Sequence, residues 1–141
     1  MKIGYTTGVF DLFHIGHLNI LKNAKRHCDY LIVGVSTDAL VDKYKNHKPI
    51  ISLNDRMEIV SNIKCVDKVV TQTEFNKLSA YENLKFDILF HGDDWKGNDK
   101  YLEIEQKLKS KGVEFMYFPY TENVSTSIIK NKIIDILKLL E

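Results

Sequence analysis

The run Tyr30-Leu31-Ile32-Val33-Gly34-Val35 restricts this chain more than any other stretch. It lacks the apolar–polar alternation of a strand with one wet face. A strand apolar on both sides must be covered on both sides, and parallel sheets flanked by helices do this. Together with Asp29 and Ser36 it reads as one strand, and four more short runs read alike: about Lys2–Thr7, Asp67–Thr71, Asp87–His91 and Val113–Phe118. Between them the apolar spacing turns helical. Ile15, Leu18, Leu21 and Ala24 mark a helix over about Ile15–His27. Ser52 stands as an N-cap with Asp55 at N3, a capping-box variant, and Leu53, Met57, Val60 and Ile63 turn inward from the helix behind it. Helices are also expected over about Glu74–Lys85, over Asn98–Gly112 with a glycine stop, and over about Thr126–Leu140 behind Ser125 as N-cap. Thr37–Val41 begins a short helix, and the polar, basic stretch Asp42–Pro49 reads as a mobile loop. Alternation of strand and helix at this spacing implies right-handed βαβ units and the α/β class. No linker or repeat divides the 141 residues, so the chain reads as one domain.

Lys and Arg number 20 against 19 Asp and Glu, a net charge of +1. Such a balance gives no basis for binding nucleic acid or a membrane surface. The apolar runs are far too short to span a bilayer and no signal peptide precedes the first strand, so a cytoplasmic protein is expected. Cys28 and Cys65 make neither a CxxC nor a disulfide framework and read as buried thiols.

Chemistry concentrates where the first strand gives way to helix. Thr7-Gly8-Val9-Phe10-Asp11-Leu12-Phe13-His14-Ile15-Gly16-His17 is a strand end, a tight turn and a first helical turn. A helix start offers unpaired N–H groups and a positive dipole end, which suits phosphate. Gly8 lets the backbone approach a ligand closely. His14 and His17 lie three apart on one face, and each can donate an N–H to a phosphate oxygen. Ser125 and Thr126 repeat this logic at the last helix. Ligands of parallel sheets collect beyond the carboxyl ends of the strands. Gly8–His17 follows the first strand, Gly92–Gly97 the fourth and Thr121–Ser127 the fifth, so three distant blocks are expected to converge on one crevice. Neither GxGxxG nor GxxxxGK[ST] occurs, so the dinucleotide and P-loop readings lack their fingerprint. HxxH is not the i,i+4 spacing of a helical zinc pair, and no protein-held metal is expected.

The same residues carry a resemblance. Gly8-Val9-Phe10-Asp11 followed by His14-x-Gly16-His17 resembles the HxGH nucleotidyltransferases. His91-Gly92-Asp93-Asp94-Trp95-Lys96-Gly97 and Thr121-Glu122-Asn123-Val124-Ser125-Thr126-Ser127 narrow this to the small cytidylyltransferases, most of all those acting on glycerol 3-phosphate. The likeness runs from about Lys2 to about Lys132. It implies a Rossmann-like parallel five-stranded sheet with helices on both faces, and a homodimer. It implies CMP transfer from CTP to a small phosphorylated alcohol, with a CDP-alcohol for cell-surface polymers or lipids as product. His14 and His17 would contact the triphosphate and stabilise the transition state. Gly8, Val9, Phe10 and Asp11 would bind the nucleotide with Thr121, Ser125 and Thr126. Such chemistry needs positioning and charge stabilisation rather than a covalent nucleophile. Mg²⁺ is the expected cofactor, held mostly through nucleotide phosphates and water.

Several residues admit two readings. Lys43 and Lys45 are either solvated loop lysines or, by the resemblance, binders of nucleotide and substrate phosphates; Lys77 is a further candidate for the acceptor phosphate. Arg56 is either a bidentate anion clamp or a structural salt bridge to Asp55 or Glu58. Asp11 is either a metal-side carboxylate or an acid capping the turn. Asp94 can accept from ribose hydroxyls or the cytosine amino group, and Trp95 can line the acceptor pocket. Tyr120 stands where the family carries arginine, and tyrosine does not replace that charge. The reaction type survives this departure; the acceptor, and cytosine over adenine, are less constrained. An adenylyltransferase on the same fold and a non-catalytic nucleotide sensor are the rivals. Asn123 replaces a frequent glycine, a mild change because asparagine tolerates left-handed backbone.

Overall fold

The computed structural model describes residues 1–92 and 99–141, so Asp94 and Trp95 lie outside the described residues. Strands β1 (Ile3–Gly8), β2 (Tyr30–Ser36), β3 (Lys68–Gln72), β4 (Ile88–Gly92) and β5 (Glu114–Phe118) form a parallel sheet in the order β3-β2-β1-β4-β5. The described helices are α1 (Ile15–Lys25), α2 (Asp38–Lys45), α3 (Leu53–Ser61), α4 (Lys77–Leu84), α5 (Asp99–Ser110) and α6 (Thr126–Leu139). The chain builds from β1 outward through β2 to β3, then crosses back to lay β4 on the free side of β1. That reversal is the switch point at which open α/β sheets hold ligands.

The sheet divides its side chains by the period of two. Leu31, Val33, Val35, Ile88 and Phe90 point to one face and pack with Leu21 and Ala24 of α1 and Val60 of α3. Tyr5, Ile32 and Leu89 point to the other and pack with Phe86, with Leu108 of α5 and with Val113. The unbroken apolar run of β2 thus feeds two cores. Each fully buried side chain of this size contributes about 1.5–3 kcal/mol by leaving water. Among the described residues, no helix is long and apolar enough to cross a membrane.

Two expectations need correction. The stretch 42–45 is not loop: α2 runs on to Lys45, and Asn46 ends it in the left-handed conformation (φ 61°), its N–H donating to the Asp42 carbonyl. Lysine and tyrosine are good enough helix formers to continue a helix anchored by the buried Leu40 and Val41. Ser52 is the N-cap of α3, but its side chain makes no capping hydrogen bond. Asn123 does adopt positive φ (62°).

Candidate active site

The turn between β1 and α1 is bent against the preference of its own residues. Phe10 and Leu12 have φ of 56° and 49°, a region costly for bulky side chains. The bend tucks Phe10 into the core at 5% exposure and delivers His14 to the N-cap of α1. There the histidines cap the helix reciprocally. The N–H of Gly16 donates to His14 Nδ1 (3.0 Å), and the N–H of His14 donates to His17 Nδ1 (3.2 Å). With Nδ1 accepting, each neutral ring carries its proton on Nε2 and keeps it as a donor. The rings stack with centroids 3.8 Å apart. Gly16 makes this possible: a Cβ there would lie 2.8 Å from His14 Cε1. Burial, and then the neighbouring His14, push His17 down to about 4, although Asp11 pulls the other way. Burial also lowers His14.

Two charged side chains brace this turn from below. Arg56 is fully buried. Its Nε donates to the Ile51 carbonyl (2.9 Å), its Nη1 to the carbonyls of Val9 (2.7 Å) and Ser36 (2.8 Å), and its Nη2 to Asp38 (2.6 Å). Of the two readings of Arg56 the structural one describes these bonds, with Asp38 as the acidic partner rather than Asp55 or Glu58. Asp11, 3% exposed, accepts the N–H groups of Ile50 and Ile51 (2.8 and 2.9 Å) and lies 3.8 Å from Lys130 Nζ. Its carboxylate first holds the segment ahead of α3.

The N-terminus of α6 docks against that of α1. Val124 lies over Gly16, Asn19 donates to Thr121 Oγ1 (3.1 Å), and Thr126 Oγ1 donates to the Asp11 carbonyl (3.0 Å). Ser125 caps α6 by accepting from the Ile128 N–H (3.1 Å). Between these helix ends and the strand ends lies a cavity of about 320 Å³. Gly8, Val9, Phe10, Asp11, His17, Lys45, Lys77, Tyr120 and Thr126 line it. The described parts of all three motif blocks border it, through Gly8, Gly92 and Thr126. Tyr120 lies over Gly92, where a Cβ would meet its ring. Thr121, Ser125 and His14 are not among the residues that line the cavity. Lys43 is exposed and not part of the wall: on a helix, residues two apart face different directions, so Lys45 alone of the pair reaches the cavity.

The sequence reading missed Lys130, Gln72 and Ser36, which also line the cavity. Lys130 had a signal, lying one helical turn beyond Thr126. Gln72 and Ser36 had none, since each only ends its strand.

A crevice at the switch point, two helix N-termini and a stacked histidine pair define an α/β protein of the nucleotide-transferring class. The comparisons specify it further: residues 5–132 match the cytidylyltransferase-like family model, and the chain belongs to that family. It is 38% identical to a glycerol-3-phosphate cytidylyltransferase of Bacillus spizizenii, over 92% of this chain and 95% of the relative. It is 39% identical to the bifunctional protein HldE of Helicobacter pylori, over 94% of this chain but 27% of that protein. Among solved structures, a lipopolysaccharide core biosynthesis protein of Thermoplasma volcanium superimposes with a TM-score of 0.71 at 28% identity, covering 88% of this chain and 99% of the other.

Proposed function

We propose that this chain transfers CMP from CTP to glycerol 3-phosphate. A phosphate oxygen of the acceptor attacks the α-phosphorus in line, the bond to the β-phosphate oxygen breaks, and CDP-glycerol and pyrophosphate leave. The observation that carries this reading is the reciprocal cap of α1, which fixes both imidazoles as Nε2–H donors at a helix N-terminus beside the cavity. Such donors stabilise charge as it develops on phosphate oxygens. Lys45 and Lys130 add positive charge at the wall. Gly8 allows close approach of the nucleotide, and Thr126 sits where the α6 dipole favours anions. The product suits assembly of a cell-surface polymer, and the use of CTP places the reaction in the cytoplasm.

Mg²⁺ fits this site in one way. Both Asp11 oxygens already accept backbone N–H bonds, so a bound ion would take most of its ligands from phosphates and water, as Mg²⁺ prefers. The chemistry it would supply is neutralisation of charge on the leaving pyrophosphate. We also propose a homodimer. Every residue from 131 to 141 is exposed in the single chain, among them Ile133, Ile134, Ile136 and Leu137, and a second copy would cover that apolar surface.

The test is pyrophosphate release with CTP, Mg²⁺ and glycerol 3-phosphate, run beside ATP. The expected outcome is CTP-dependent release with CDP-glycerol formed one for one. His14→Ala and His17→Ala should each slow it by roughly 10²–10³. Release with ATP but not CTP would move the reading to an adenylyltransferase. CTP binding with no turnover would favour a sensor.

A further inference from the structure

A helix ordinarily stays in place by burying an apolar stripe against its neighbours. No residue of α6 is buried in the single chain, and from 131 onward every residue is exposed. Yet Thr126 and Lys130, both on α6, line the cavity. Where they stand depends on how the N-terminal end of α6 is tied down.

Contacts to the turn ahead of α1 tie one side of it. Thr126 Oγ1 donates to the Asp11 carbonyl (3.0 Å), Lys130 Nζ lies 3.8 Å from Asp11 Oδ2, and Val124 lies over Gly16. A further contact comes from the body of α1, where Asn19 Nδ2 donates to Thr121 Oγ1 (3.1 Å). Thr121 and Thr126 flank the reversal that enters α6, in which Asn123 takes positive φ (62°). Asp11 thus anchors that reversal after its bend, and Asn19 anchors it before. A carboxamide and a hydroxyl each donate and accept, so this bond survives whichever way the amide is turned. Neither Asn19 nor Thr121 lines the cavity. The bond therefore acts on the site through the backbone it holds, and small errors in such placement are costly to binding and rate.

We infer that Asn19 is a positioning residue for triphosphate binding. Through Thr121 it sets where the first turn of α6, with Thr126 and Lys130, stands relative to the histidine pair of α1. This rests on the CMP-transfer reading for its nucleotide and adds what keeps the two helix ends together.

The experiment is calorimetric titration of inorganic tripolyphosphate and of a non-hydrolysable CTP analogue, each with Mg²⁺, into the full chain. Wild type, Asn19→Ala, Thr121→Val and the double variant are compared. Asn19→Ala should weaken both ligands about five- to ten-fold, as expected for one geometry-fixing hydrogen bond. In the Thr121→Val background the same substitution should cost less than about two-fold, because the bond is already gone. The urea midpoint of Asn19→Ala should match wild type, since the better helix propensity of alanine offsets the lost bond. A merely structural role gives the opposite pattern, a lower midpoint with unchanged affinity, and would overturn the proposal. So would equal losses from Asn19→Ala in both backgrounds, or no tripolyphosphate binding by wild type. A wild type that releases no pyrophosphate from CTP, with the tripolyphosphate pattern as expected, would sink the reaction and leave the positioning role standing. Normal release with unaltered tripolyphosphate affinity in Asn19→Ala would do the reverse.

Discussion

Protonating His17 would cost α1 its cap. Its Nδ1 accepts the His14 N–H, and a proton placed there turns an acceptor into a donor facing a donor. Burial and the stacked neighbour oppose that proton too, holding His17 at about 4 against an ordinary 6.5. The unfolded chain therefore binds this proton from about pH 6.5 downward, and the folded chain only near 4. Stability contributed by keeping His17 neutral is lost as the pH falls through that window. Glutamine at N3 can also reach back to a cap, so His17→Gln should flatten the acid limb of stability. Urea denaturation at pH 7 and pH 4.5 checks this: the gap between the two midpoints should shrink in the variant, and an unchanged gap would count against His17 as the titrating group. The histidine pair was legible in the sequence from its spacing together with Gly16 inside it and the helical pattern behind it. The bend that delivers it was not, because Phe10 and Leu12 are residues that ordinarily avoid positive φ.

At the scale of elements, Arg56 ties four segments together. Its guanidinium joins the ends of β1 and β2, the start of α2 and the segment leading into α3. Arg56→Met removes the cation from its buried bonds, orphans three carbonyls and strands Asp38. Asp38 is solvated once stranded, but a buried carbonyl left without its donor costs about 1–3 kcal/mol, so equilibrium unfolding should show a loss of at least about 2 kcal/mol. A loss below about 1 kcal/mol would place the cation outside the fold's support. The existence and order of the elements could be read from apolar runs, since those runs are what the cores consume. The partner of Arg56 could not, because Asp38 is eighteen residues away and only the crossing of β2 into α2 brings it near. The end of α2 was missed for a different reason. Polarity alone does not separate a solvent-exposed helix from a loop, and Lys43 and Lys45 are exposed residues on such a helix.

For the molecule as a whole, the meeting of three motif blocks followed from parallel topology, which gathers strand ends on one edge. The surface of α6 did not follow, since its isoleucines and leucines read equally well as core. Leu137→Lys, on the exposed face, should convert the proposed dimer to monomer in sedimentation equilibrium without changing the far-ultraviolet spectrum. A wild-type protein that stays monomeric at high concentration would refute the assembly. One consequence of the α1 cap reaches beyond stability. The bonds that orient the two imidazoles are the bonds that close the helix end, so under the proposed role of the pair fraying of that first turn and loss of turnover are one event. Helix ends open at lower free energy than sheet cores. Warming should therefore silence the protein while its β-sheet is still intact, with amide exchange at Gly16 rising as turnover falls.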